Sequence, residues 1–368
     1  MSLSALIAAL LLEQLKPLWS HKFLHGWSSA YVDYFQHHFN SGDYRHGRTA
    51  WWLAVLPMVA GGVLVFWGLY YLHPVFAWVF NVVVLYLCMG FRRFSQSYKD
   101  IQQALRGKRL DEARVLLSDL RCRTSDGLSA EEIARVAIET SLVAALHHFF
   151  GVIVWFVAFS MLGLGGAAGA LLYCIGRAMG AHDESNGHGK YAAPNDHDRF
   201  PLPNPDGTTS HSTKLPTDGS QVAGYLPQAS EGANESLRKP CVDAEESSGA
   251  GSFAREMHIR LEWLPIRLTA ATFAIVGNFE DTVYCWRSQA PLWPDSETGV
   301  LLAGAAGASG VRLGLPIPQD GRLLDRVELG VGDKNGDAAL YCASRLVWRS
   351  SVFMLVVLFM LTLAGLLE

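Results

Sequence analysis

Charge of a single sign is what this sequence most plainly lacks. Thirty Lys+Arg stand against thirty-four Asp+Glu, a formal net charge of -4, so a basic surface for nucleic acid is not available and no nucleic-acid partner is expected. Charge of either kind is scarce, at 17% of residues, while hydrophobic residues make up 50% and mean hydropathy is +0.17. That balance departs from a soluble domain of this length and points to lipid. Cysteine is thin as well. Cys88, Cys122, Cys174, Cys241, Cys285 and Cys342 lie far apart with no C-x-x-C pair, which excludes a zinc ribbon and a thioredoxin-like motif. A disulfide framework is foreign to a chain of this size, so the thiols read as buried hydrophobes and free surface groups in reducing surroundings. No removable signal peptide is expected either. The apolar segment Leu3 to Leu15 is interrupted by Glu13, has no basic leader, and shows no small-residue cleavage site before Lys16 and Pro17. A helix of about 13 residues cannot cross a hydrocarbon core of roughly 30 Å, so this segment lies in the interface or packs on other helices.

What the chain does have is long apolar runs. Ala50 to Leu72 is charge-free, with Trp51 and Trp52 at one end and Tyr70 and Tyr71 at the other, where amphipathic rings favour the headgroup level. After His73 and Pro74 a second apolar helix reaches Phe91 and stops at Arg92 and Arg93, making a helical hairpin with the first. Ala137 to Met179, about 43 residues, is too long for one crossing. It is divided at the glycine-rich Gly163 to Gly169, so two crossings or a deep returning hairpin are expected. Val352 to Leu367 is a final charge-free run behind Arg345 and Arg349. The positive-inside rule puts those arginines in the cytoplasm, together with Lys99, Arg106, Lys108, Arg109, Arg114, Arg121 and Arg123.

Between these runs the chain is polar. Residues 92–136 read as two amphipathic helices, Arg93 to Arg106 and Leu110 to Leu120, then a turn and an N-cap at Ser129 with Glu131 and Glu132 in the first turn. Residues 181–251 are dense in Gly, Ser, Pro, Asn, Asp and His. With few large apolar side chains this stretch cannot offset the entropy of ordering, and a disordered insertion is expected. The organisation is thus 1–91 membrane segment and hairpin, 92–136 cytoplasmic helices, 137–180 membrane helices, 181–251 linker, 252–350 cytoplasmic or interfacial region, and 351–368 terminal transmembrane helix. The expected fold class is an all-α polytopic membrane protein, a helical bundle with cytoplasmic amphipathic helices, whose first partner is the lipid bilayer.

Ionisable side chains at bilayer depth are costly and draw attention to function. Glu139, His147, His148 and Arg177 are of this kind. Glu139 is four residues from Arg135 and can pair with it. It is also about 80° around the helix from His147, close enough for a polar seam, while His147 and His148 point about 100° apart, so only one can join. Glu139 and His147 are therefore the catalytic candidates. For His147 a general base and a helix–helix hydrogen bond are both open.

Phe253 to Gly277 starts as a charged amphipathic helix, breaks before Pro265, and resumes as a second helix of about 12 residues capped by Gly277. Arg260 and Arg267 are candidates to hold an anion, with salt bridges to Glu256 or Glu262 as the other reading. In GAAGASGVRLGLP, Gly310 and Gly314 flank Arg312, and backbone amides there could cradle a phosphate beside the guanidinium. The run lacks the G-K-[ST] ending of a P-loop. No metal ligands can be assigned from spacing.

Four blocks, RVAIET at Arg135 to Thr140, GGAAGALLY at Gly165 to Tyr173, WLPIRLT at Trp263 to Thr269 and GASGVRLGLP at Gly307 to Pro316, occur in an order that resembles the CobD/CbiB family. The resemblance spans most of the chain. It implies a multi-pass protein of the bacterial inner membrane that joins aminopropanol phosphate or ethanolamine phosphate to a corrinoid carboxylate, with ATP and Mg2+. On this resemblance Glu139 and His147 take catalytic roles, and Arg267, Arg312, Gly310 and Gly314 bind phosphate or substrate. The chain departs from the pattern where Val143, Ala144, Leu146 and His147 replace an acidic, amide-bearing string, and where His258 and Ile259 replace paired aspartates. In those losses it is similar to AmpE, a relative that implies a second expectation, a non-catalytic inner-membrane regulator of cell-wall and β-lactamase signalling.

Overall fold

A computed structural model of the chain describes residues 2–15, 31, 44–121, 127–186, 249–319, 322–333 and 336–367. The expected insertion at 181–251 lies outside these residues except at its edges, where helix continues to Asn186 and is already under way at Gly249.

Helix α1 (Ser2–Leu15) is too short to span and packs on α3 (Pro74–Cys88), burying Ala5, Leu6 and Ala9. The Trp78 indole donates to Ser4 Oγ at 3.0 Å and pins the two together. Between them runs α2 (Tyr44–Leu72), whose Arg48–Leu72 portion is long and apolar enough to cross a membrane. Only 17% of its most apolar window is buried, so most of that surface faces outward, as lipid contact requires. Helix α3 pairs with α2 as expected, but its 15 residues rise only about 22 Å, short of a full crossing. Proline at its first position and the His73 ring, which accepts from the Val75 amide at 3.3 Å, start it cleanly.

The polar pair expected between the apolar runs is α4 (Phe91–Arg106) and α5 (Leu110–Arg121), and both show the polar-face, apolar-face alternation of surface helices. Then Ser129 closes a capping box with Glu132 and opens α6 (Ala130–Ala145). This helix does not end where it meets the histidines. It widens into a π turn, Leu146–Phe150, and resumes as α7 (Gly151–Met161). The composite Ala130–Met161 is the second apolar stretch long enough to span. The glycine-rich segment turns the chain back into α8 (Gly166–Asn186), which packs along α7 as a returning hairpin.

Helix α9 (Gly249–Val276) runs unbroken through Pro265, where a break was expected from sequence. Proline has no N–H to give the carbonyl four residues back, and that carbonyl, Leu261 O, instead accepts from the Trp155 indole at 3.0 Å. The lost bond is made good from another helix, so the chain has no reason to stop. Helix α9 packs on α2, α8 and α11 (Ser296–Ser309), the last entered through α10 (Phe279–Ser288) and a short 3-10 turn. The all-α expectation holds apart from one hairpin, β1 (Ile317–Gln319) antiparallel to β2 (Arg322–Leu324). The last helix, α12 (Gly336–Leu367), begins well before residue 352, so Arg345 and Arg349 are inside it rather than ahead of it. Its Gly336–Ala364 portion is the third candidate span among the described residues.

Candidate functional site

Glu139 is buried on α6, and its expected pairing with Arg135 does not occur. Its carboxylate takes Arg326 Nη1 at 2.6 Å, Arg326 Nη2 at 3.4 Å and the Gly314 amide at 2.8 Å. Arg326 completes the knot by donating to the carbonyls of Gly314 and Leu315, at 3.2 and 3.3 Å, beside the Trp293 ring. Both members of the ion pair are under 10% exposed. Glu139 thus clamps the GVRLG loop to α6.

That loop does not offer a free cradle. The Gly310 and Val311 amides bond to Ala306 O, the Leu313 amide to Leu329 O, and the Gly314 amide to Glu139. Gly310 caps α11 in the left-handed region. Gly314 has φ +74°, and a Cβ there would lie 1.9 Å from Val327 O, so its glycine answers to close packing. Arg312 spends its three nitrogens on Gly332 O at 2.6 Å, Asp333 at 2.7 Å and Glu328 at 3.3 Å. Arg267 stacks on Trp263, 4.3 Å from its centroid, and grips Glu297 at 2.6 and 3.3 Å. Arg260 pairs with Glu256, one of the two readings left open by sequence.

His147 sits elsewhere. The expected seam with Glu139 is replaced by a bond from His147 to Glu262 of α9, Nε2 to Oε1 at 2.6 Å. His258, one turn before Glu262 on the same helix, brings its Nε2 to the same oxygen at 3.5 Å, and Tyr173 of α8 approaches it at 3.5 Å through its hydroxyl. Local sequence explains the convergence. The π turn redirects His147, as such turns do at functional sites. Gly151 leaves room for Tyr173, whose ring would otherwise lie 2.3 Å from a Cβ. Burial alone would raise the Glu262 carboxyl, but the His147 charge and hydrogen bond, with His258 and Arg177 behind them, hold it at about 2. Burial pushes His258 below the ordinary imidazole value, helped by His147 and Arg177 and opposed by Glu262 and Asp295. Arg177 Nε and His258 Nδ1 are both buried without a hydrogen-bond partner.

Sequence spacing singled out His147 and missed its partners. The one available signal was His258 and Glu262 at i, i+4, which share a helix face.

The Mg2+ expectation can be tested on donors. Among the described residues, His147, His258 and Glu262 are the grouping of three or more potential ligands that converges. Two imidazoles and one carboxylate are a poor match for a cation that demands octahedral oxygen, so no step is routed through magnesium at this cluster.

Fold and site together define an α-helical membrane protein with a polar cluster held between α6–α7, α8 and α9. A family model described as CobD/CbiB protein matches residues 4–192, and the chain belongs to that family. It is 29% identical over 333 residues to the cobalamin biosynthesis protein CobD of Stutzerimonas stutzeri strain A1501, covering 89% of this chain and 88% of that protein. It is 26% identical over 296 residues to the cobalamin biosynthesis protein CobD of Chromobacterium violaceum, covering 80% and 74%. No solved structure matches it.

Proposed function

We propose that the chain is a multi-pass inner-membrane ligase of corrinoid assembly, which forms an amide between a corrinoid carboxylate and the amine of an amino-alcohol phosphate at the expense of ATP. The observation that carries this reading is the largely buried cluster of His147, Glu262, His258 and Tyr173, with Arg177 near enough to act on the Glu262 charge. Polar groups at such depth in a helical bundle are costly and mark function. The family and the two CobD relatives supply the reaction class. Arg177 is the guanidinium suited to the phosphate of the amino alcohol, because Arg267 and Arg312 could take one only by releasing Glu297, or Asp333 and Glu328. His147 is the reacting-centre candidate, and Glu139 acts by holding the GVRLG loop through Arg326.

The test is direct. Membranes containing the protein, given ATP, Mg2+, adenosylcobyric acid and aminopropanol phosphate, should yield the amide, and its expression should rescue a corrin auxotroph. Absence of product beside an active control, with the protein folded and inserted, would overturn the ligase reading. The competing reading is an AmpE-like regulator without catalysis. It is favoured by one observation, that Arg267, Arg312 and Arg326 are each satisfied by a carboxylate of the chain itself, as scaffold arginines are.

A further inference from the structure

We infer that His147, His258 and Glu262 form a binding site for a divalent transition-metal ion of the zinc class. The inference stands apart from the ligase reading, because metal retention can be measured whatever reaction the protein performs.

The donors come from two elements that face each other. His258 and Glu262 lie one turn apart on α9, and His147 reaches them from the π turn. One ligand atom from each lies within 4.8 Å of the others. A tetrahedral ion with bonds of about 2.0–2.1 Å needs donors about 3.3 Å apart. The two histidine contacts to Glu262, at 2.6 and 3.5 Å, already bracket that spacing. Drawing the two imidazoles together is a rotamer-scale adjustment. Side-chain exposures of 21%, 14% and 11% shield the cluster while leaving an approach for a fourth ligand. Three protein donors and an open position are the pattern of a reactive rather than a purely structural zinc site.

The surroundings fit as well. Metal-bound carboxylates are themselves held by outer hydrogen bonds, and the Tyr173 hydroxyl is already at Glu262 Oε1. Imidazole pairs with one carboxylate select Zn2+, Co2+ or Ni2+ over Mg2+. The donor set therefore disagrees with the hard-cation site that an ATP-dependent reaction suggests, and it calls for a softer metal at this position.

Full-length protein carrying a tag without histidine, purified in detergent without chelator, should contain about one transition-metal ion per chain by elemental analysis. Stripped protein titrated with Co2+ should develop visible absorption bands of low-symmetry coordination, which millimolar Mg2+ does not suppress. H147A, H258A and E262Q should each weaken Co2+ binding at least tenfold, while R260Q, in an exposed pair on the same helix, should leave it unchanged. E262Q is nearly isosteric, and monodispersity with unaltered far-ultraviolet dichroism will report that it folds. Folded wild-type protein that gives no Co2+ spectrum, or binding undiminished in all three variants, would overturn the assignment.

Discussion

Glu139 and Arg326 are 187 residues apart and meet at 2.6 Å in a setting where both are under 10% exposed. Removing one member of such a pair leaves an uncompensated buried charge, which costs far more than the pair itself contributes. E139Q is therefore expected to lower stability by about 3–5 kcal/mol, read as thermal unfolding in detergent. The double variant E139L/R326L should recover most of that loss. An additive double variant would show that the two residues do not act as a unit. Disrupting Arg260–Glu256, an exposed pair, should change stability by less than about 1 kcal/mol. The sequence made Glu139, Arg312, Gly310 and Gly314 conspicuous because buried charge and clustered glycine are locally visible. It gave no sign that the first would clamp the loop holding the others, since ion-pair partners far apart in the chain leave no periodicity to read. The same blindness hid Glu262 from His147. Both residues were noticed, and their meeting depends on how α9 docks.

At the scale of elements, local rules succeeded wherever the determinant was local. The capping box at Ser129, the glycine-rich return between α7 and α8, and the helical hairpin of α2 and α3 all follow from a few adjacent residues. The failure at Pro265 is equally instructive. The rule that proline breaks a helix rests on a lost hydrogen bond and a clash, and the first of these is repaired by Trp155, which lies 106 residues away in sequence. W155F should leave Leu261 O unsatisfied and destabilise by about 1–3 kcal/mol. P265A introduces a backbone N–H that can take the same carbonyl, so W155F in a P265A background should cost clearly less. Equal costs in both backgrounds, measured as a double-mutant cycle in thermal unfolding, would show that the indole bond is not what carries the helix through the proline.

For the whole molecule, packing between helices fixes which ends share a side of the membrane. The turn after α7 meets the end of α2, where Gly165 lies against Phe66. The start of α8 is tied to α3, with the Ala167 amide on Asn81 at 3.0 Å. The opposite ends are grouped as well. Tyr98 of α4 donates to Leu340 O at 2.6 Å, and Arg106 faces Asp337 at 3.8 Å, so α12 starts beside the basic helices. Positive residues near span ends stay in the cytoplasm, so we predict that α4, α5 and the start of α12 lie inside and the turn at 162–165 outside. Helix α12, at 32 residues, rises about 48 Å, enough to carry the chain through a core of roughly 30 Å. Its carboxyl end is then predicted to emerge on the outer face. Alkaline phosphatase, active only after export, should accordingly be active when fused after residue 368 or within 162–165 and inactive when fused at Gly107. A green fluorescent reporter should give the reverse pattern. Export of the Gly107 fusion, or a cytoplasmic carboxyl terminus, would mean that the helices do not cross in the order their contacts require.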